Sequence, residues 1–573
     1  MPDVGAALLG HLQALYGSDA EAVLDDLLAL MRSFEGRIKP RPGARVEPRP
    51  GGGLCERDAV LITYGDMVRE PGRYPLETLG ELLEEKVADI VNTVHILPFY
   101  PYSSDDGFSV IDYLKVDPQL GDWDDVAAIG RSFRLMFDAV LNHTSAKSEW
   151  FRGFREGDER YADHFMTPAP GADLSDVFRP RESPLLTEVE TVSGPKLVWT
   201  TFSADQVDLN YRNPQVLLAT VETLLTYAER GADVIRLDAV AFLWKEAGTS
   251  CLHLPQTHRI IKLWRAVLDA AAPGTVLITE TNVPHRDNIS YFGDGSDEAH
   301  LVYNFSLPPL TLHAFHTGDA TELSRWADGL SAPSTSVAFL NFLASHDGVG
   351  LGGAQGRLTD RQIGAMAERA ERLGGHVSYR AAPDGGRAPY ELNINFLDAL
   401  GPAVDEPVET TARRFLTSQA VMLSLQGVPA IWFHSLFGSR GWADGVAETG
   451  AFRTVNREKP GRAELEAELA AAGSLRSLVF GGYRSLLRAR SSHTAFSPHA
   501  DQEILDLGAC VFAVRRAGDD GAVLCLHNVT DRPISVDATA HVGSATPTDL
   551  VGGDGPTTEL GPYQTAWLAT GRP

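Results

Sequence analysis

The sequence predicts an α/β protein whose centre is a (β/α)8 TIM barrel, and three observations support this prediction. Apolar runs typical of buried parallel strands alternate with stretches of helical periodicity. Four runs end abruptly in acidic or imidazole side chains, as barrel strands do where they carry the chemistry: DAVLNH at 138–143, DVIRLDAVAF at 233–242, LITET at 277–281 and FLASHD at 342–347. The 573 residues also leave room for modules around a barrel of about 250 residues.

A helical extension is predicted before the barrel. Residues 5–34 carry apolar side chains at helical spacing, which predicts two amphipathic helices. The segment that follows, KPRPGARVEPRPGGG at 39–53, is rich in proline and glycine and is typical of a linker. We therefore expect residues 1–55 to form an N-terminal helical extension with its linker.

The barrel strands are predicted in chain order. The first two are AVLITYG at 59–65 and VNTVHILPFYP at 91–101, with a helical stretch between them. The third ends at His143 and the fourth begins near Asp233, a gap too wide for one ordinary helix, so an inserted subdomain is expected at about 145–215. LITET supplies the fifth strand. The last three are expected in HLVYNFSLP at 300–308, VAFLNFLASHD at 337–347 and AVMLSLQGVPAIWFH at 420–434.

Two more modules follow from composition. The polar, glycine-rich stretch from Gly350 to Leu400 is long for a connection and predicts an inserted loop domain that shapes substrate access. After about residue 490, runs of period two such as ACVFAVRR and GAVLCLHNV predict an antiparallel β domain. The expected domains after the extension are the first part of the barrel (56–144), inserted domain B (145–215), the second part of the barrel (216–349), the loop domain (350–410), the barrel end (411–488) and the C-terminal β domain (489–573).

Composition argues against several classes of protein. A net charge of -26 and a pI near 5.0 oppose the basic surface of a nucleic-acid binder. The N-terminus has no basic leader segment, and no apolar stretch approaches roughly 18 residues, so we expect a cytoplasmic protein with no membrane partner. The four cysteines show no metal-ligand spacing and no disulfide framework, so we interpret them as free thiols.

Three carboxylates at strand tips, Asp238, Glu280 and Asp347, are candidates for one shared pocket. A retaining glycosidase needs two carboxyl groups about 5 to 5.5 Å apart, one that attacks the anomeric carbon and one that protonates the leaving oxygen. Arg236 lies two residues before Asp238, on the same side of the strand, and can keep that carboxylate ionised as the nucleophile. Glu280 follows apolar residues, which favours a raised pKa and the acid/base role. One such carboxylate alone would more often be a helix cap or a structural ion pair.

Several motifs resemble a known family. DAVLNH, IRLDAVAFLWKEAGTSC, LITET and SHDG resemble, in order and spacing, the signature regions of the α-amylase superfamily of retaining glucosyl enzymes. The variants VHILPFYPYSSDDGFSVIDYLKVD, FRPR, LVWTTFSADQVDLN, NFSLPPLTLHAF, PYELN and TVNR are similar to the sucrose phosphorylase subfamily. Within that subfamily the closest resemblance is to glucosylglycerate phosphorylases, through the N-terminal extension and the segments KEAGTSCLHLPQTH, ITETNVPHRDNISYFGDG and SYRAAPDGGRAPYELNINFLDAL.

This resemblance implies site residues. Asp238 would be the nucleophile, Glu280 the acid/base and Asp347 the stabiliser of the transition state. The positions that would bind the glucosyl unit are Asp105, Phe108, His143, Arg236, His346 and Arg457. On the acceptor side, Arg181 of FRPR and Tyr390 of PYELN would hold phosphate, and Asn282 and Glu391 join them as candidates. Position alone, rather than the resemblance, adds candidates without a ranking: Thr281 directly follows Glu280 on the same rim, and His285, Arg286, Arg380 and Arg387 lie in loops expected to surround the entrance.

The predicted activity is that of a retaining glucosyl phosphorylase. It would convert 2-O-α-glucosylglycerate and inorganic phosphate into α-glucose 1-phosphate and glycerate through a covalent glucosyl-aspartate. The alternatives are a phosphorylase of sucrose, sucrose 6′-phosphate or glucosylglycerol, an α-glucoside hydrolase or transglucosylase, and a non-catalytic relative. We expect no cofactor and no metal, and interpret Asn142 as a hydrogen-bonding residue that fixes the insertion. The preferred acceptor and the assembly state, for which a homodimer is one option, stay open.

Overall fold

Eight parallel strands close into a barrel in the computed structural model, which describes residues 2–39, 53–381, 386–401, 406–538, 541, 547–552 and 559–570. The strands are Val60–Thr63, Thr93–Ile96, Arg134–Ala139, Ala232–Leu237, Val276–Thr279, Leu301–Tyr303, Ala338–Asn341 and Val428–Trp432. Each pairs with its neighbours in the chain, and the eighth pairs with the first. Nearly every residue of these strands is buried, because the barrel interior and the surrounding helices cover both faces. The predicted fold class is confirmed.

Helices surround the barrel and cover its outer face. The described helices are Pro2–Tyr16, Ala20–Ser33, Pro75–Lys86, Trp123–Ile129, Glu149–Glu156, Pro214–Glu229, Pro255–Ala271, His285–Asn288, Leu307–Thr317, Thr321–Asp328, Asp360–Arg372, Phe396–Ala399, Val408–Ser424, Phe433–Leu436, Ala443–Thr449, Arg462–Ala470 and Leu475–Ser491. Several begin where proline fits the first turn: Pro214 opens its helix, and the side chain of Asn213 accepts the N–H of Gln215. In the described part of the chain, we find no helix whose length and apolar character would let it cross a bilayer.

The last barrel strand differs from its prediction. The run at 420–434 was expected to be one strand, but residues 420–424 end the buried helix Val408–Ser424, and the strand covers only Val428–Trp432. The last eight residues of this helix, 417–424, are all buried, so no exposed polar face distinguishes the apolar run from a strand by periodicity. Gly427, with a φ of 117° and a carbonyl of Phe339 where a Cβ would stand, makes the turn between them.

The N-terminal extension packs on the barrel helices. Its two helices follow the expected segment, and Leu8, Leu12 and Leu27 are fully buried. The hydroxyl of Tyr16 donates a hydrogen bond to the carbonyl of Tyr211 at 3.0 Å. Most of the predicted linker, residues 40–52, lies outside the described residues.

An insertion follows the third barrel strand and carries short antiparallel pairs. Strand His143–Ser145 pairs with Gln206–Asp208, and Leu186–Thr191 pairs with Gly194–Trp199. A buried ion pair fixes its base: the ammonium of Lys245 lies 2.9 Å from Asp208 and 2.8 Å from the amide oxygen of Asn142. Asn142 therefore makes the hydrogen bond expected of it. Lys245 follows the fourth strand, so the pair joins the insertion to the barrel.

We expect Lys245→Met to destabilise the protein by about 3 to 5 kcal/mol, because it leaves the Asp208 carboxylate buried without its cation. Denaturant unfolding at pH 7 measures the loss. The matched control is Lys115→Met, which removes a surface lysine whose side chain is 75% exposed, and it should change stability by less than about 0.5 kcal/mol. The double variant Lys245→Met/Asp208→Asn should recover part of the stability. Equal stability of Lys245→Met and the wild type would contradict the assignment.

Three more sheets complete the described fold. Strand Arg387–Asn393 pairs with His376–Ala381 and with the short strand Val349–Gly350, all near the seventh barrel strand. The C-terminal sheet is antiparallel, as predicted, and contains Asp501–Leu505, Val511–Gly518, Gly521–Asn528, Thr565–Thr570 and Thr548–Asp549, with Ile534–Ser535 and Glu559–Leu560 pairing beside it. The buried guanidinium of Arg516 donates to the carbonyl of Ser424 at 2.9 Å and holds this sheet against the barrel.

Candidate active site

Asp238 and Glu280 lie side by side at the carboxyl ends of the fourth and fifth strands. The register pairs Leu237 with Thr279, so each carboxylate follows its strand by one residue at the same level of the barrel. Both side chains are largely buried but reach the cavity at this end of the barrel. The predicted meeting of these two acids is therefore present in the structure.

A single guanidinium joins the two acids. Arg236 Nη1 lies 2.9 Å from Asp238 Oδ1, and its Nη2 lies 4.0 Å from Glu280 Oε2. Arg236 also binds Asp138, whose other oxygen lies 2.6 Å from His95 Nε2. Sequence reasoning did not assign Asp138 or His95 to the site, although Asp138 begins the motif DAVLNH. These buried partners fix the guanidinium that orients Asp238.

The backbone after Asp238 is turned toward Glu280. Ala239 has a φ of 48°, in the left-handed region that a residue with a Cβ seldom adopts. In this conformation its N–H donates to Glu280 Oε2 at 3.2 Å. Such strained residues persist where the surrounding structure holds them, often at active sites. Here the strained turn places a hydrogen-bond donor on the second acid.

Burial and neighbouring charge act differently on the two acids. Burial raises the pKa of Glu280 to about 7, with Arg236 opposing the rise from 4.0 Å. Burial also raises the pKa of Asp238, but there Arg236 opposes it from hydrogen-bonding distance. We expected Arg236 alone to set the ionisation of Asp238, and the structure adds the opposing effect of burial. Because Arg236 lies closer to Asp238 than to Glu280, we infer that Asp238 ionises at a lower pH than Glu280.

Asp347 follows the seventh strand, and its carboxylate is surrounded by basic side chains. Its Oδ1 lies 2.6 Å from Arg453 Nη1, 3.4 Å from Arg457 Nη2 and 3.6 Å from His346 Nε2. Burial alone would raise its pKa, but the arginines outweigh burial and hold the pKa of Asp347 below its usual range. Asp347 is therefore a fixed negative charge in the same cavity as the two acids.

Five of the six residues expected to bind glucose line the same cavity, and the sixth, Arg457, lies behind it, in contact with Asp105 and Asp347. The ring of Phe108 stacks on that of His346, with centroids 4.7 Å apart and planes 7° apart. His143 Nε2 lies 2.9 Å from the carbonyl oxygen of Phe108. Burial lowers the pKa of His346 to about 3, so its imidazole is neutral at pH 7. These contacts place Phe108, His143 and His346 at one end of the cavity.

Arg457 binds two carboxylates at that end. It lies 3.5 Å from Asp105, the expected partner, and 2.6 Å from Asp106, which sequence reasoning missed. Both aspartates have positive φ, 54° and 47°, so the chain bends sharply to present both to one guanidinium. The doublet in YSSDDG was the available signal, but adjacent residues give no means of choosing between them.

The four acceptor-side candidates, Arg181, Tyr390, Asn282 and Glu391, also line this cavity. Burial raises the pKa of Tyr390 to about 12, so its hydroxyl stays protonated and can donate a hydrogen bond. The amide oxygen of Asn282 is buried without a hydrogen-bond partner among the described residues. The carboxylate of Glu391 accepts the N–H of Gly348 at 3.0 Å.

The remaining loop candidates are less suited to a ligand. Thr281 lines the cavity, but its hydroxyl donates to Asn288 at 2.7 Å. His285, Arg286, Arg380 and Arg387 are not among the described residues that line the cavity, and Arg387 forms an ion pair with Glu182 at 2.6 Å. Arg453 does line it, and sequence reasoning missed it, although it lies four residues before Arg457.

Part of the cavity wall is aromatic. Phe178, Phe202 and Phe242 line it, and the rings of Phe202 and Phe242 meet edge to face with centroids 5.3 Å apart. Such a surface offers water few hydrogen-bond partners. The cavity therefore combines two acids suited to a double displacement, a fixed carboxylate and a partly apolar wall.

Comparisons with known proteins agree with this geometry. A family model described as the alpha amylase catalytic domain matches residues 89–351, and residues 508–568 match the C-terminal immunoglobulin-like domain of D-apionate lactonase. The chain is 50% identical to the glucosylglycerate phosphorylase of Allomeiothermus silvanus over 99% of both chains. It is 52% identical to that of Spirochaeta thermophila over 91% of this chain and 88% of the relative. The crystal structure of sucrose 6F-phosphate phosphorylase from Thermoanaerobacter thermosaccharolyticum superposes with a TM-score of 0.72 at 24% identity, covering 83% of this chain and 94% of that one.

Proposed function

The chain belongs to the glucosylglycerate phosphorylase family of the α-amylase superfamily, and from that premise we propose that it is a retaining glucosyl phosphorylase. Its substrates would be 2-O-α-glucosylglycerate and inorganic phosphate, and its products α-glucose 1-phosphate and glycerate. The observation that carries the proposal is the pair of acids, Asp238 and Glu280, that share the Arg236 guanidinium at adjacent strand tips. Such a pair supports two successive displacements at one carbon.

In the first displacement, Asp238 attacks the anomeric carbon of the glucosyl unit. The bond from that carbon to the glycosidic oxygen breaks, and Glu280 gives its proton to the oxygen, so that glycerate leaves with a hydroxyl group. Glu280 is suited to this role because burial raises its pKa to about 7. Asp347, held ionised by the nearby arginines, would stabilise the positive charge that develops on the sugar ring.

In the second displacement, an oxygen of phosphate attacks the same carbon. The ester bond to Asp238 breaks, and the glutamate, now ionised, accepts the proton that the phosphate hydroxyl loses. Each displacement inverts the configuration at the anomeric carbon. Two inversions restore it, so the product keeps the α configuration of the donor. No cofactor takes part in this scheme, since every proton and electron pair has a place on substrate or side chain.

Phosphate must be favoured over water, which is far more abundant. A bound, oriented nucleophile can gain an effective molarity of up to about 10⁵ to 10⁸ M, enough to overcome that excess. Arg181 and Tyr390 line the cavity where a phosphate would approach the glucosyl ester, and the Tyr390 hydroxyl stays protonated. The aromatic wall of Phe178, Phe202 and Phe242 supports the exclusion of water.

We expect Arg181→Ala to reduce phosphorolysis at least about tenfold more than hydrolysis, because a lost charge-assisted contact to phosphate is worth about 1.5 to 3 kcal/mol. Parallel assays of glucose 1-phosphate and free glucose from the same donor give the ratio. The matched control is Arg160→Ala, a surface arginine with a 71% exposed side chain, which should leave the ratio unchanged. An equal loss of both activities in Arg181→Ala would argue against a phosphate contact.

The direct test of the activity is an acceptor panel in the reverse direction. The wild-type enzyme is supplied with α-glucose 1-phosphate and, in turn, glycerate, glycerol, fructose and fructose 6-phosphate, and the release of phosphate is measured. We expect the highest kcat/KM with glycerate. Preference for fructose or its phosphate would indicate a sucrose-type phosphorylase, and phosphate release independent of any acceptor would indicate a hydrolase.

A further inference from the structure

Two positively charged side chains that line the cavity are partly exposed and can meet an anionic ligand. Among the described residues that line the cavity, the arginines are Arg181, Arg236 and Arg453. Arg236 is only 4% exposed and is committed to Asp138 and Asp238. The side chains of Arg181 and Arg453 are 27% and 21% exposed, so solvent and ligand can reach both.

Arg453 keeps donor capacity despite its ion pairs. Its Nε and Nη2 lie 3.2 and 3.0 Å from the oxygens of Glu391, and its Nη1 lies 2.6 Å from Asp347. A guanidinium has five N–H groups. The described contacts engage Nε once and Nη2 with both oxygens of Glu391, whereas Nη1 meets only Asp347, so its second N–H can still bind an acceptor. That N–H can donate a charge-assisted hydrogen bond to a carboxylate or a phosphate.

Glu391 holds both arginines at the mouth. Its carboxylate is 3% exposed, accepts from Arg453 and lies 3.8 Å from Arg181 Nη1. A buried carboxylate would repel an anionic ligand directly, whereas the two guanidinium groups that it contacts attract one. Glu391, one of the predicted acceptor-side residues, is therefore better placed to position the arginines than to touch the ligand.

We propose that Arg453, together with Arg181, binds the carboxylate of glycerate and then the incoming phosphate, so that one guanidinium pair serves both anions in turn. This inference rests on the proposed function and adds a specificity-determining residue to it. The two ligands occupy the same place because both displacements pass through the side of the carbon that faces Glu280. In glucosylglycerate the carboxylate is attached to the carbon that bears the glycosidic oxygen, and in phosphate the charged oxygens surround the attacking one, so the negative charges fall in similar positions.

The comparison of glycerate with glycerol isolates this contact. Glycerol carries a hydroxymethyl group where glycerate has its carboxylate, so the ratio of their kcat/KM values reports recognition of the anion alone. We expect Arg453→Gln to lower the glycerate-to-glycerol ratio by about 10- to 100-fold and to raise the KM for phosphate by a similar factor. If Arg453 had only a structural role, its loss would lower kcat/KM for both acceptors by the same factor and leave the ratio unchanged.

Two further variants keep the test decisive. Arg453→Lys keeps the charge but not the planar fork, and should lower the ratio by about tenfold, a result that also holds if Arg453→Gln folds poorly. Arg372→Gln, which removes a surface arginine with a 66% exposed side chain, is the matched control and should keep the wild-type ratio. A wild-type ratio in both Arg453 variants overturns the inference while the proposed function stands. A wild-type enzyme that does not use glycerate at all overturns both.

Discussion

Replacement of Asp238 by asparagine is expected to lower turnover by about 10⁴-fold or more, because the amide cannot form the glucosyl ester. Asp238 lies 2.9 Å from Arg236 Nη1, and an amide of the same shape can occupy that place with little change in the surrounding structure. The loss should therefore appear in kcat with every donor. It should include donors whose leaving group needs no proton, such as α-glucosyl fluoride.

Initial rates of phosphorolysis and of fluoride release, measured beside the unfolding temperature, provide this test. Asp269→Asn is the matched control, since Asp269 is a half-exposed surface residue paired with Arg265, and it should retain full activity. Near-normal phosphorolysis by a folded Asp238→Asn variant would contradict the nucleophile assignment. The contact with Arg236 could then no longer be interpreted as one that orients the nucleophile.

The second large effect is expected at Glu280. Glu280→Gln should lower phosphorolysis of glucosylglycerate by about 10²- to 10⁴-fold, the usual contribution of a positioned acid. Release of fluoride from α-glucosyl fluoride should fall much less, because fluoride leaves without a proton. This contrast separates the acid role from damage to the site, which would reduce both reactions together.

The pH dependence follows from the same residue. The first displacement needs protonated Glu280, whose pKa is raised to about 7 by burial. The kcat/KM for glucosylglycerate should therefore be highest below about pH 7 and fall about tenfold per pH unit as the proton is lost above it. With α-glucosyl fluoride this alkaline fall should be absent. If kcat/KM of the Glu280→Gln variant fell at alkaline pH with the same midpoint, the titration would belong to another group.

The sequence was informative where local pattern and fold geometry agree. Asp238 and Glu280 could be paired because both end apolar strands, and neighbouring parallel strands bring their carboxyl ends to one level. The register then places Arg236 and Asp138 opposite each other on adjacent strands, a contact that follows from pairing rather than from spacing along either strand.

Other features could not be predicted because they depend on residues far apart in the chain. Arg453 meets Asp347 and Glu391 only after the eighth-strand loop folds over the seventh. Asp106 rather than Asp105 makes the shorter contact to Arg457 because of a backbone bend that composition does not reveal. The end of helix Val408–Ser424 resembles a strand in sequence because residues 417–424 are all buried, so no exposed polar face marks its helical period.

The most direct test of the central claim is the configuration of the first product. Glucosylglycerate and phosphate are mixed with the enzyme in an NMR tube, and the anomeric signals of the sugar phosphate are followed from the first turnovers. Two displacements at one carbon predict α-glucose 1-phosphate, formed in equal amount with glycerate. The appearance of β-glucose 1-phosphate, or of free glucose in place of the phosphate ester, would contradict the account.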